Sequence, residues 1–301
     1  VPRRRWHGLV RLLACALALA IAGTAGARQA APALRIDFID VGQGDAALIT
    51  SPTGKTVLID GGPRKSARAL TAFLSRHVHG PLDLVLLSHR HEDHVGGLPA
   101  AIRQVGARQF MDAVEPHESA AYATLMRTLA AQGIPVLQAT RGRAIDLGGG
   151  ARLVLLGPPE PVIHGSRSDV NANSVVVRLT FGGFSALFTG DAEAPTEAWL
   201  LGAGVPLQAT VLKVPHHGSQ YSSGATFLRS VGARIAVVSV GRVNEYGHPS
   251  DETLQRLAAA GASVYRTDRD GDVSLETDGS AIQLHTAEGR RQSLPLEGSR
   301  R

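Results

Sequence analysis

"LVLLSHRHEDHVGG", residues 84–97, places three histidines and two acids within six positions directly behind an apolar run. In an extended segment residues i and i+2 point the same way, so His89 and His91 converge on one cation. A turn after Glu92 re-aims Asp93 and His94 at a second cation a short distance away. Gly96 and Gly97 let the backbone pass close beneath such a site before a helix begins at Leu98. A solvated polar loop is the alternative reading, and the HxHxDH spacing argues against it in favour of metal ligands.

Outward from this stretch, short apolar runs ending in Gly or Asp alternate with longer amphipathic stretches, the pattern of an α/β layered fold. Strands are expected over 35–40, 46–50, 56–59, 82–87, 109–112, 135–138, 152–156, 174–181, 184–188, 209–213, 235–240, 263–266 and 273–277. Helices are expected over 65–76, 98–105, 119–131, 194–201, 225–231 and 251–260. Two stretches echo one another. "TVLIDGG" ends a strand at Asp60 and is followed by a helix and a strand ending at His89; "SALFTGD" ends one at Asp191 and is followed by a helix and a strand ending at His216. Ligands in layered α/β folds gather beyond the carboxyl ends of strands, so the two halves are expected to share one site. "DRDGD", residues 268–272, reads as a hairpin turn between Tyr265 and Leu275, because its glycine is misplaced for a calcium loop.

HxHxDH followed by Gly-Gly resembles the metallo-β-lactamase superfamily. The resemblance implies a four-layer αββα sandwich and two divalent ions, Zn²⁺ or Mn²⁺. By position, His89 and His91 resemble ligands of the first ion and Asp93 and His94 ligands of the second. Asp191 resembles the carboxylate bridging both, and His216 the last ligand of the second. Asp60 resembles the aspartate that supports a ligand histidine from behind; Asp45 and His217 are expected beside it in the same supporting role. "FIDVGQGDAALI", "VLIDGG", "LLSHRHEDHVGG", "NANSVVVRL", "LFTGD", "LKVPHHGSQYSS" and "NEYGHPS" occur in the order found in the metallo-hydrolase domain of the ComEC competence proteins. This narrower resemblance runs from about residue 35 to 277. The chain lacks the large membrane channel of those proteins, so DNA transport is not implied.

One departure from the wider superfamily concerns the third histidine of the first ion. His117 and His164 read as ordinary loop histidines, and the ComEC-like pattern has Asn and Ser at this point, matched by Asn171, Asn173 and Ser174. An amide oxygen is a harder, weaker ligand than imidazole and favours manganese over zinc. The reaction expected is hydrolysis by a metal-bound hydroxide. Asp93, Lys213 and His248 are the expected catalytic groups, and Lys213, Ser219, Asn171 and Ser174 the expected substrate contacts.

Residues 1–27 carry Arg3, Arg4 and Arg5, an apolar stretch from Leu12 to Ala22 and a small-x-small pattern at Ala25–Ala27, the layout of a secretory signal peptide. An uncleaved N-terminal anchor is the alternative. Cleavage gives an exported protein, periplasmic or extracellular, with no stable membrane insertion. The leader holds four arginines and no acids, so its removal takes the net charge from +5 to about +1. Charge therefore gives no support for broad nucleic-acid binding. Cys15, the sole cysteine, leaves with the leader, which excludes disulfides, thiolate nucleophiles and sulfur-ligated metals from the mature chain. The domains expected are the leader, a hydrolase domain over 28–287, and a basic, disordered tail over 288–301. The ComEC-like motifs point to a phosphodiesterase or nuclease with nucleic acid or another phosphodiester as its partner. The alternatives are a hydrolase of a carbon-centred ester or amide, such as a lactam or lactone, and a non-catalytic metal-dependent binding protein.

Overall fold

The computed structural model describes residues 33–113 and 119–296. The expected leader and His117 lie outside the described residues. In chain order the first half contains β1 (Leu34–Phe38), β2 (Ala47–Thr50), β3 (Thr56–Ile59), α1 (Ala67–His77), β4 (Leu84–Leu86), α2 (Glu92–Val95), α3 (Leu98–Val105), β5 (Phe110–Asp112), α4 (Ala120–Ala131) and β6 (Val136–Gln138). The second half contains β7 (Ala144–Gly148), β8 (Ala151–Leu155), α5 (Asp169–Ala172), β9 (Val177–Phe181), β10 (Phe184–Phe188), α6 (Ala194–Gly202) and β11 (Val211–Lys213). It continues through α7 (Ala225–Val231), β12 (Ile235–Val238), α8 (Asp251–Ala259), β13 (Ser263–Arg266) and α9 (Thr267–Asp270). β14 (Val273–Thr277), β15 (Ala281–Thr286) and β16 (Arg291–Pro295) then return to the first sheet.

Among the described residues the strands form a nine-stranded sheet, in the order β16-β15-β14-β1-β2-β3-β4-β5-β6, and a seven-stranded sheet, in the order β13-β12-β11-β10-β9-β8-β7. Period-two alternation explains why they stack. Leu34, Ile36 and Phe38 of β1, Val57 and Ile59 of β3, and Phe184, Ala186 and Phe188 of β10 all face the layer between the sheets. Phe38 and Phe188 stack there with centroids 5.9 Å apart. The opposite faces are covered by helices: Leu48, Leu58 and Val85 meet α1, α3 and α4, while Leu187, Ala236 and Val238 meet α6, α7 and α8. The result is the expected αββα sandwich. No helix among the described residues is long and apolar enough to cross a membrane.

Two expectations are corrected. The tail is not disordered through 288–301: residues 291–295 form β16, paired antiparallel with β15, and Leu294 and Leu296 are buried in the layer between the sheets. The arginines hid a hydrophobic pair at i and i+2. One of them, Arg290, forks onto Asp270 at 3.0 Å and lies over the Tyr265 ring. Leu294→Ala is expected to lower unfolding free energy by about 2 kcal/mol, read from urea denaturation. The hairpin expected at 268–272 is a crossover, because β13 belongs to the seven-stranded sheet and β14 to the nine-stranded one. Its carboxylates are spent on structure and do not converge: Asp268 pairs with Arg266, Asp270 accepts from Arg266 N, and Asp272 accepts from Asp40 N. Strand β7 was not expected, its Ile145 and Leu147 alternating between Asp146 and glycines at a bulged sheet edge.

Candidate metal centre

The site lies where strands of both sheets end. Asp60 follows β3 in a left-handed conformation (φ 59°) that turns its carboxylate toward the next strand's tip. There its Oδ1 accepts from Ser88 N at 2.7 Å, and its Oδ2 accepts from Ser88 Oγ at 2.7 Å and His94 Nδ1 at 2.9 Å. Beyond β4 come His89 and His91, with ring centroids 4.8 Å apart. Asp93 and His94 then sit in the short helix α2. Gly97 closes this turn: its N–H donates to Gly62 O at 2.9 Å, and a Cβ there would lie 2.1 Å from Gly61 O. The second half supplies Asp191, after β10, and the pair His216 and His217, in a 3₁₀ turn after β11. Both histidines are left-handed, with φ 48° and 53°. Such strain at non-glycine residues persists only where surrounding contacts over-determine it.

Those contacts set the rings. His217 Nδ1 donates to Ser239 O at 2.9 Å and lies 3.2 Å from Asp45 Oδ1. Its Nε2 thereby faces Asp93 Oδ2 at 3.2 Å and Asp191 Oδ2 at 3.6 Å. His94 repeats the arrangement, with Nδ1–H committed to Asp60 and Nε2 lying 3.2 Å from Asp191 Oδ1 without an aligned hydrogen bond. An imidazole nitrogen facing a carboxylate needs a cation between them, either a proton on the ring or a metal ion in the proton's place. Two ligands each about 2.1 Å from one tetrahedral ion sit about 3.4 Å apart, which matches these separations. Asp93, His94, Asp191 and His217 therefore fit a metal ion. His89 Nε2, 3.7 Å from Asp191 Oδ2, extends the cluster toward His91.

The carboxylates of the site are offset by Lys213 and by protons on His94 and His217, which a bound metal ion would replace. Asp45, Asp60, Asp191 and Glu193 are buried and Asp93 is partly buried, whereas Lys213 is the ammonium set among them. Uncompensated buried charge costs several kcal/mol per ion. Burial opposes ionisation of Asp191, yet His94, His217, His216 and His89 hold its carboxyl well below the usual range. Burial likewise works against a proton on His217, but Asp191 and Asp45 carry its pKa up to about 10. Burial and the neighbouring His94 push His89 the other way, well below its usual value, leaving a neutral imidazole suited to ligation.

Above the cluster opens a cleft of about 1140 Å³ whose lining includes His91, Asp93, Asn171, Asp191, His216 and His217. Ser219 and His248 line it as well. His248 is half-buried, and burial together with His216 and His217 brings its pKa down to about 4. The side-chain oxygen of Asn171 is buried without a hydrogen-bond partner among the described residues. Asn173, by contrast, is tied to Ile163 and Asp169.

Two expected substrate contacts are placed elsewhere. Lys213 is buried, with Nζ paired to Asp45 and donating to Val214 O at 2.9 Å. It shares a strand side with Val211, which faces the layer between the sheets, so its side chain runs beneath the cluster. Ser174 is fully buried, and its Oγ accepts from Asp191 N at 3.3 Å, positioning that carboxylate instead of meeting substrate. The structure also exchanges emphasis between the adjacent histidines: His217, expected behind the ligands, enters the cluster. His216 keeps Nε2 3.6 Å from Asp191 Oδ2 while its Nδ1 lies 3.1 Å from Glu193 Oε1. Glu193 was missed; the signal was a second acid at i+2 from Asp191. Arg90, between two histidines of the motif, was also passed over. It binds Asp112 at 2.9 Å and stacks on Tyr122, anchoring the loop to β5 and α4. Asp60→Asn weakens the grip on His94 Nδ1 and is expected to lower metal affinity about 10–100-fold, measured by competition with a chromophoric chelator.

Residues 39–242 match the metallo-beta-lactamase superfamily. The chain is 27% identical over 259 residues to ComE operon protein 3 of Bacillus subtilis, covering 79% of this chain and 32% of that protein. It is 30% identical over 234 residues to competence protein ComA of Neisseria gonorrhoeae, covering 77% of this chain and 30% of that protein. The chain thus spans about a third of the length of these relatives. Among solved structures, the metallo-beta-lactamase fold protein YhfI from Bacillus subtilis superposes with a TM-score of 0.54 at 15% identity, covering 82% of this chain and 100% of that one. With the matched residues enclosing the whole histidine and aspartate cluster, the chain belongs to the metallo-β-lactamase superfamily, as a metal-dependent hydrolase related to ComEC-like competence proteins.

Proposed function

We propose that this protein is an exported phosphodiesterase, a nuclease acting on DNA or another nucleic acid, that works with two divalent ions, Mn²⁺ or Zn²⁺. The observation that carries the reading is the cleft over the cluster. At about 1140 Å³ it exceeds the range of about 300–1,000 Å³ that suits single small ligands, and polar side chains line its floor. The competence-protein relatives add support, and the basic, apolar, small-x-small order of residues 1–27 supports export.

When bound, the ions lower the pKa of an attacking water and offset charge developing on the phosphoryl oxygens. Asp93, His94, Asp191 and His217 would hold one ion, and His89 and His91 would contribute to holding the other. Asn171, with an unpartnered amide oxygen, lines the same cleft and would add a harder ligand that favours manganese. Asp60, Asp45 and Ser239 fix the ligand tautomers from behind. Ser219 and His248 face the cleft and orient the phosphate; Lys213 acts through Asp45 and does not touch substrate.

Purified protein loaded with Mn²⁺ or with Zn²⁺ is incubated with single- and double-stranded DNA, RNA, small phosphodiesters, nitrocefin and lactones. Cleavage of phosphodiesters that chelation abolishes is the expected result. Turnover confined to lactams or lactones, or none on any phosphodiester with either metal, overturns the proposal.

A further inference from the structure

The metal ligands lie at the bottom of the cleft, but one of its walls carries an aromatic ring in the open. Tyr246 is 70% exposed. Its ring stacks on His248 with centroids 5.7 Å apart and planes 20° from parallel. His248 in turn meets His216 edge-on at 5.6 Å, and His216 meets His217 at 6.0 Å. A continuous file of rings therefore leads from the metal cluster to the rim. The loop that holds its outer end is clipped in place: Asn244 Nδ2 donates to Gly241 O at 3.1 Å and His248 O at 3.0 Å, and its Oδ1 accepts from His248 N at 2.9 Å. A second planar surface lines the same cleft, where the Arg167 guanidinium lies 3.8 Å from the centre of the Tyr221 ring.

We propose that Tyr246, backed by His248, is a stacking surface for an unpaired nucleobase beside the phosphodiester under attack, and that it gives the protein a preference for single-stranded nucleic acid. This rests on the phosphodiesterase reading. An aromatic face accepts any base, because every base has a π-face, and a duplex hides those faces in its own stack. A preorganised ring loses little freedom on binding. The phosphate is held at the metal cluster and the base at the rim, so the two contacts report separately.

The test is equilibrium binding of a short phosphorothioate-linked single strand carrying 2-aminopurine, whose fluorescence is quenched on stacking, to the Mn²⁺-loaded protein. Quenching is expected at one position with the natural protein and with Tyr246→Phe. Tyr246→Ala is expected to remove that quenching and weaken binding roughly tenfold. A strand abasic at that position is expected to bind the natural protein roughly tenfold more weakly, and to bind Tyr246→Ala and the natural protein alike. A paired strand is expected to bind more weakly than the single strand. Equal binding of intact and abasic strands, or undiminished quenching with Tyr246→Ala, overturns the stacking surface. If strands are cleaved without any dependence on Tyr246, the stacking surface alone fails. If no phosphodiester is cleaved while the Tyr246-dependent quenching persists, the hydrolase reading fails and the base-binding surface stands.

Discussion

Asp191→Asn is expected to leave a folded protein that retains less than its full metal complement and loses hydrolytic activity by about a thousandfold. Its carboxylate touches more of the cluster than any other group described: Oδ1 lies 3.2 Å from His94 Nε2, and Oδ2 lies 3.6 or 3.7 Å from His217, His216 and His89. The amide has nearly the same shape but carries no charge, and one of its two ends donates instead of accepting. Ligation at both ends is then impossible, and the imidazoles of both halves lose the anion they share. Elemental analysis of the purified variant, with hydrolysis measured across added Mn²⁺, checks this. Full metal occupancy with undiminished turnover would remove Asp191 from the centre.

Lys213→Met is expected to destabilise the fold by about 3–5 kcal/mol. The methionine fills much the same volume between the sheets, so the loss isolates charge from packing. Burial opposes the charge on Asp45, and it is Lys213 first and His217 second that hold this carboxyl below its usual range. Without the ammonium, Asp45 is left charged and buried, and the anchor of His217 Nδ1 shifts with it. Combining Lys213→Met with Asp45→Asn is expected to recover most of the stability, since the stranded charge is gone. Urea denaturation of the four proteins in chelator measures the cycle. A stability for Lys213→Met equal to the natural protein's would show that Asp45 does not depend on its partner.

The parts of the site that could be read from sequence are those set by local geometry. His89, His91, Asp93 and His94 lie within six positions, and Asp60 and Asp191 each end an apolar run, so strand tips and ligand spacing delivered them together. The roles of His216 and His217 could not be divided this way. Neighbours in a strand point to opposite faces, but two successive left-handed residues break that alternation and bring His217 inward. Lys213 was misread for the opposite reason: the ordinary alternation holds, and its partnership with Val211 already pointed it between the sheets. The final strand was hidden by composition, since Arg290 and Arg291 look solvated until Asp270 is found waiting for the first of them. The layered architecture itself followed from the strand and helix periods, which depend on each segment alone.

The pairing of β1 with β14 joins Leu34 to Thr277 and Phe38 to Val273, so nearly the whole described chain lies between the two partners. Contacts this distant in sequence form late and slowly, because the entropy of closing the intervening loop must be met before they contribute. During synthesis, the first half emerges with His89, His91, Asp93 and His94 already made but with an uncapped sheet edge. Asp191 and His217 follow, and the sheet that supports the first ligands closes only when residues 273–277 arrive. A chain elongated only as far as His217 therefore carries these ligands but still lacks the strand that pairs with β1 behind them.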